Sequence, residues 1–528
     1  MRKAIVIALG AIAQFVAVGS AAAQIREADV TGGRVSGVVA NGIAAFKGIP
    51  FAAPPVGPLR WKAPQPVARW TGVRSATTFA ASCVQDVTFV KLFGAPEAIS
   101  EDCLYLNVWT PATAASERLP VMVWIYGGAF VGGMTSIPAY DGASLAEKGV
   151  VLVSVGYRLG AFGFLAHPQL TAEGGKGSGN YGLQDQIAGL RWVKDNIAKF
   201  GGDPGRVTIF GESAGGISVS MLAVSPAAKG LFHRAISESG GNFGAARTAN
   251  EGGLTSPSLK VAELTGQAFL KRLGVAGISA ARELPAAKIQ AALGGGLPPF
   301  WPVSDGEVLP GDQYELYLAK RFHDTPVLIG TNSDEGITFV GGQTQPEAFE
   351  KMIRAGYGTK AEAILAAYPH ATLQESTQSA RNIFRDATFA WHTWAWALLH
   401  SKQGRNKAFV YYFDHRTPLS PNGAGHAAEI PYVFRTLGKF SGPAGLVGAP
   451  RAEDHAMSDL MSSYFVNFAK TGDPNGPGLP PWPAFTESSQ TVMHLDAKSS
   501  ARPAPNMTQI TAMDDYFKWR REEAKGKR

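Results

Sequence analysis

Apolar residues along this chain fall into short runs separated by stretches with helical spacing. Five runs read as strands, at residues 121–125, 150–155, 207–210, 327–329 and 409–413. Each is short and rich in β-branched or aromatic residues, the composition of a buried strand. Between them, Leu183, Ile187, Leu190, Val193, Ile197 and Phe200 recur at intervals of three and four, which predicts a helix with one apolar face. Gly201 stands where such a helix stops. Strands alternating with helices predict an α/β fold, a mostly parallel sheet with helices on both faces.

In such sheets ligands gather at the carboxyl ends of the strands, so chemical residues should follow the runs. They do. The run at 121–125 leads into Tyr126-Gly127-Gly128-Ala129-Phe130, and that at 207–210 into Gly211-Glu212-Ser213-Ala214-Gly215. The run at 327–329 precedes Asn332-Ser333-Asp334-Glu335-Gly336, and that at 409–413 precedes a Pro/Gly loop ending in Gly425-His426.

Composition widens the picture only slightly. The chain has 528 residues, 45% hydrophobic and 17% charged, enough apolar material for a large core around one sheet. It shows no internal repeat and no heptads. Met1-Arg2-Lys3, the apolar residues 4–18 and Ala21-Ala22-Ala23 form the three parts of a secretory signal peptide, too short for a membrane span. The expectation is a signal peptide at 1–23 cleaved after Ala23, a single domain at 24–528, and a secreted or periplasmic protein. No later stretch is long and apolar enough for a membrane span. In an oxidising compartment Cys83 and Cys103 would join, closing a loop for ~3 kcal/mol; two unrelated buried thiols are the alternative. Two cysteines cannot build a Cys-rich zinc site. The net charge of +7 includes Arg2 and Lys3 of the leader, and the rest is scattered apart from residues 518–528, read as a solvated tail. That pattern gives no support for a nucleic-acid partner.

A serine hydroxyl is a weak nucleophile until a base takes its proton, and a carboxylate must hold that base in the right tautomer. A strand running into Gly211-Glu212-Ser213-Ala214-Gly215, with a helix-like stretch at 217–224, puts Ser213 on a strand-to-helix turn that lifts its hydroxyl above the sheet. In a chain with 62 glycines that pattern is weak alone, and its other meaning is a helix N-cap. On this kind of sheet the chain order is serine, acid, histidine, which Ser213, Glu335 and His426 satisfy. Among the ten histidines, His167 and His233 come too early, and His392 and His400 lie in Trp/Ala-rich helical sequence. His415 and His455 lack the glycine-flanked setting of His426. Asp334 stays a rival to Glu335 at this point. The amides of Gly128, Ala129 and Ala214 are the candidate donors for a developing oxyanion. No metal and no organic cofactor is needed; the expected partner is a small-molecule ester.

With these segments in view the chain resembles the type-B carboxylesterases, the cholinesterase-like branch of the α/β-hydrolase superfamily. The matching segments include Phe46-Lys47-Gly48-Ile49-Pro50-Phe51, Glu101-Asp102-Cys103-Leu104-Tyr105-Leu106-Asn107, Asn180-Tyr181-Gly182-Leu183-Gln184-Asp185-Gln186 and Ala469-Lys470-Thr471-Gly472-Asp473-Pro474. The resemblance implies a large, mostly parallel sheet flanked by helices, with helical insertions over an active-site gorge. It implies Ser213 as nucleophile, Glu335 rather than Asp334 as acid, and His426 as base. It places Gly127, Gly128 and Ala214 at or beside oxyanion positions, with Ala129 where many members have a third glycine. It also implies a Cys83–Cys103 bridge.

Two departures bear on substrate. In choline-specific relatives the bridged loop carries a tryptophan that stacks on the quaternary ammonium. Residues 84–102 contain none, only Phe89 and Phe93, so choline esters are not the expected substrates. Where those relatives narrow the acyl pocket with aromatics, this chain reads Gly294-Gly295-Gly296-Leu297-Pro298-Pro299, which gives either a roomier acyl side or an ordinary loop. Trp391, Trp394 and Trp396 line an entrance or pack a helix on the core, and Glu212 tunes the site or favours a helix start. Donor loops of the Gly-Gly-Ala form resemble those of relatives that accept bulky alcohols. The reading is thus an exported serine carboxylesterase, broad on hydrophobic or bulky esters. The alternatives are a silent cholinesterase-like binding or adhesion protein, or a lipase or amidase variant.

Overall fold

A computed structural model describes residues 24–526 except 87, 89–90, 92–97, 176, 249–253, 295–298 and 440–448. The leader at 1–23, Phe89, Phe93 and residues 295–298 of the glycine-rich tract lie outside the described residues.

Among the described residues, eleven strands form one sheet: β1 (Val38–Ala40), β2 (Ile43–Pro50), β3 (Tyr105–Thr110), β4 (Leu119–Ile125), β5 (Val151–Val155), β6 (Gly202–Glu212), β7 (Arg234–Glu238), β8 (Val327–Asn332), β9 (Ala408–Phe413), β10 (Thr491–Leu495) and β11 (Ser500–Pro503). Their order across the sheet is β11-β10-β9-β8-β7-β6-β4-β5-β3-β2-β1. From β10 across to β5 every neighbouring pair is parallel. The edges are antiparallel.

All five expected strands are present as β4, β5, β6, β8 and β9, and their central residues are almost wholly buried, as parallel strands covered on both faces must be. The missed strands carry polar residues that interrupt the apolar run. In β3, Asn107 is buried because its Nδ2 donates to Ser154 Oγ at 2.9 Å and its Oδ1 accepts the Gly48 amide at 2.9 Å. In β7, Ser237 and Glu238 do the same to the pattern.

The expected helix is α1 (Tyr181–Asn196), tightening into a 3-10 turn at Ile197–Phe200 and ending at Gly201 with φ 75°. The elbow helix is α2 (Ala214–Leu222), followed late in the chain by α3 (Leu373–Arg385), α4 (Trp391–Gln403) and α5 (Met507–Gly526). Trp391 and Trp396 are fully buried, with Trp396 Nε1 donating to the Tyr317 hydroxyl at 2.7 Å, so α4 packs on the core. As far as it is described, to residue 526, the basic C-terminal segment is not a solvated tail. It continues α5, whose Arg521 is buried over the Tyr314 ring at 3.9 Å and beside Asp312, and donates to the Phe243 carbonyl. A cation is buried there because a carboxylate, a carbonyl and an aromatic face meet it.

Cys83 and Cys103 are joined by a disulfide. Among the described residues no helix is long and apolar enough to cross a membrane, and no group of three or more His, Cys, Asp or Glu is arranged to hold a metal.

Candidate active site

Ser213 follows the last residue of β6 with φ 55° and ψ −123°, a backbone conformation unfavourable for any residue with a side chain. Neighbouring chain holds it there: its amide donates to the Glu238 carbonyl at 2.9 Å, and its carbonyl accepts the Ile217 amide at 2.8 Å. The flanking glycines are demanded by close approach. A Cβ on Gly215 would stand 1.9 Å from the Ile125 carbonyl oxygen, and one on Gly211 2.5 Å from the same atom. This lets α2 start directly against β4, and the serine perches on the resulting bend.

The loop after β4 lies against that bend, since a Cβ on Gly127 would reach the Glu212 carbonyl oxygen at 2.7 Å and Ser213 Cβ at 2.9 Å. Gly128, Ala129 and Phe130 all have positive φ, at 111°, 52° and 60°. Among the described residues the Gly128 and Ala129 amides donate to no backbone carbonyl, and Ala214, as the first residue of α2, has no intrahelical acceptor. Gln85 clamps the far side of this loop: its Oε1 accepts the Gly133 amide and its Nε2 donates to the Gly133 carbonyl, both at 2.9 Å. The disulfide loop that carries Gln85 is thereby tied to the candidate donors.

Glu335 follows β8 and is fully buried. Its Oε1 accepts the Asn332 amide at 2.7 Å and the Ser239 hydroxyl at 2.5 Å, while Oε2 faces His426 Nδ1 at 2.6 Å. Asp334 lies instead in the field of Arg381 and Arg385, so the structure separates the two acids that sequence left adjacent. The opposite nitrogen of His426, Nε2, points to the elbow and stands 3.0 Å from Glu212 Oε1. Glu335 and His426 are thus in direct contact, and Glu212, the residue before Ser213, stands at the far side of the imidazole. The rival histidines are elsewhere: His415 pairs with Asp454 at 2.7 Å, His455 is exposed on a helix, and His392 accepts the Phe243 amide at 2.9 Å.

Burial pushes the His426 pKa down, but the carboxylates of Glu212 and Glu335 outweigh it and raise it to about 9. Burial raises Glu212, opposed by the charge of His426. Two further buried acids stand close by and drew no attention in the sequence. Glu429 donates nothing to the pattern there but accepts from Asn332 Nδ2 at 2.5 Å, and Glu238 neighbours Glu212 across the β6–β7 register. Burial raises both; the charges of Glu429 and Glu212 add to it at Glu238, and those of Glu212 and Glu335 at Glu429. Only their tertiary placement distinguishes them from ordinary surface glutamates, though Glu429 follows His426 by three residues on one turn and that spacing was available.

A serine on a strained bend, an imidazole hydrogen-bonded to a buried carboxylate and a neighbouring loop of free amides are the features of a serine hydrolase, and the sheet is that of the α/β-hydrolases. Within that class the chain belongs to the carboxylesterase family, whose sequence profile matches residues 20–514. It is 37% identical over 497 residues to the para-nitrobenzyl esterase of Bacillus subtilis (strain 168), covering 90% of this chain and 95% of that one. It is 36% identical over 474 residues to the fumonisin B1 esterase of Sphingopyxis macrogoltabida, covering 87% and 84%. A solved PNB esterase structure matches with a TM-score of 0.80 at 34% identity, covering 93% of this chain and 99% of that one. The chain is a carboxylic-ester hydrolase.

Proposed function

We propose that this protein is an exported serine carboxylesterase that works through an acyl-enzyme and accepts hydrophobic or bulky esters. The observation that supports it most is the His426 ring, with Nδ1 on Glu335 at 2.6 Å and Nε2 directed at the elbow. In this reading Nε2 takes the Ser213 proton as Oγ bonds to the ester carbonyl carbon. The carbonyl electron pair moves to oxygen, where the amides of Gly128, Ala129 and Ala214 receive it, each worth about 3 kcal/mol of barrier. Collapse of that intermediate breaks the bond to the alkoxide, which leaves with the proton from His426. Water then enters by the same base, and breaking the acyl–Oγ bond returns Ser213 its proton and releases the acid.

The alanine at 129 and the relatives named for fumonisin B1 and para-nitrobenzyl substrates favour a tolerant alcohol side. Ser213→Ala should leave the thermal unfolding profile unchanged and abolish both the burst of alcohol from an aryl acetate and labelling by a fluorophosphonate. A persistent burst would refute the serine assignment. Export predicts a mature N-terminus at Gln24 in protein recovered outside the cytoplasm, which intact-mass measurement reads directly.

A further inference from the structure

Between α3 and α4 the chain leaves α-helical hydrogen bonding for a π-helical turn at Asp386–Ala390. Such a turn holds one residue more than its α counterpart, is rare, and is frequently found at functional sites. The side chain it delivers inward is Phe389, which is 2% exposed. Its ring lies 4.6 Å from the His426 imidazole between centroids, with the planes only 20° apart. Phe339 meets the same imidazole at 5.0 Å and 58°. Phe384, on α3, stacks on Phe339 at 4.7 Å and touches Phe389 edge-on at 6.2 Å.

The turn is held by groups outside the Ser213–His426–Glu335 set. Arg385 and Asp386 pair at 2.7 Å, both buried, and the Tyr368 hydroxyl donates to Asp386 Oδ2 at 2.8 Å. Arg385 Nη1 also donates to the Ser333 carbonyl at 3.0 Å, two residues before Glu335. One hydrogen-bonded platform therefore carries both the loop that holds Nδ1 and the ring that covers the imidazole face.

We propose that Phe389 is a positioning residue for His426, fixing the plane of the imidazole and favouring its charged form as it accepts the serine proton. The inference rests on His426 being the base. A hydrogen bond at Nδ1 anchors one point of the ring but leaves it free to tilt. Nε2 also has Glu212 Oε1 at 3.0 Å, a contact in which that oxygen makes no hydrogen bond as the ring stands, so a small tilt decides between carboxylate and serine. A flat ring against one face removes that freedom. Its π face also carries negative potential, which attracts the imidazolium more than the neutral imidazole. The other charged groups around His426 are Glu212 at the end of β6, Glu335 after β8 and Glu429 three residues along the chain, and all three act in the same direction.

The test compares Phe389→Leu, Phe389→Tyr and His426→Ala with the parent enzyme on an aryl acetate, measuring kcat and KM across pH. Phe389→Leu should lower kcat about tenfold, which is ~1.4 kcal/mol of transition-state stabilisation, with KM changed less than about twofold. Its acid limb should move to lower pH by about half a unit, because the imidazolium loses its π partner. Phe389→Tyr should restore both. A parent-like kcat and acid limb in Phe389→Leu, or a folded Phe389→Tyr that rescues neither, overturns the proposal. If Phe389→Leu does not fold, Phe389→Met takes its place under the same criteria. Parent-like activity in His426→Ala would instead overturn the base assignment itself, and so the two failures are distinguishable.

Discussion

Glu212 stands immediately before the proposed nucleophile, yet its carboxylate is 3.0 Å from the far nitrogen of the proposed base. With that negative charge in place His426 holds its proton to higher pH than it would beside Glu335 alone. Removing the charge lowers the His426 pKa, so the neutral, base-competent form persists to lower pH. Glu212→Gln should therefore shift the acid limb of kcat/KM downward by about one unit, a Coulomb effect of the size expected for a partly screened contact at this distance. An acid limb that stays in place, measured with the same aryl acetate, would mean the contact does not set the titration. At this scale the sequence was informative wherever chemistry follows local order. Ser213, Glu335 and His426 appear in loops just after apolar runs and in the sequence order that the fold requires. Glu212 was legible only as two alternatives, and Glu238 not at all, because nothing in a run of letters distinguishes a glutamate at 0% exposure from one in solvent.

The strand–turn–helix unit of β6, Ser213 and α2 owes its shape to contact with β4. The decisive approach is at Gly215, where an added methyl would lie 1.9 Å from the Ile125 carbonyl oxygen, a distance only backbone movement can relieve. Gly215→Ala should push α2 away from β4, destabilise the protein by about 1–3 kcal/mol and lower kcat by about 100-fold or more as Ser213 leaves its position. Gly174→Ala is the matched control: it sits in a helix with nothing within 4 Å of the added carbon, and should be neutral in both assays. Equal effects of the two substitutions would show that the elbow tolerates displacement. The same unit explains which elements could be read in advance. Strands buried on both faces gave continuous apolar runs, whereas β3 and β7 hide buried Asn107 and Glu238 inside theirs, and the antiparallel edges carry too few apolar residues to stand out. The π turn before Trp391 has no sequence signature, since an extra residue in a helix alters no local preference.

Across the whole molecule the buried titratable groups pull stability in opposite directions with pH. His392 and His400 are buried and depressed to about 3 and about 4, so the folded state holds them neutral, and their contribution is lost as pH falls below about 6.5. Glu212, Glu238 and Glu429 are raised above their ordinary value of 4.5, so the folded state holds protons that the unfolded chain releases. Their contribution is complete below pH 4.5 and is lost as pH rises through their folded values, reaching about 8 for Glu429. Glu238 isolates this second limb, because neither of its oxygens meets a protein donor among the described residues and the carboxylates that raise His426 are Glu212, Glu335 and Glu429. A glutamine there is neutral at every pH, so Glu238→Gln removes the loss while keeping the shape. Each pH unit over which one such group stays protonated only in the folded state costs the parent ~1.4 kcal/mol. Unfolding entropy of ~2.1 cal/mol/K per residue makes 1 kcal/mol worth roughly 1 °C in a chain this long. The midpoint of Glu238→Gln relative to the parent should therefore rise by about 2–4 °C between pH 5 and pH 8 at a fixed scan rate. A difference that stays flat over that range would show that Glu238 is ionised in the folded protein and draws its partner from somewhere other than a bound proton.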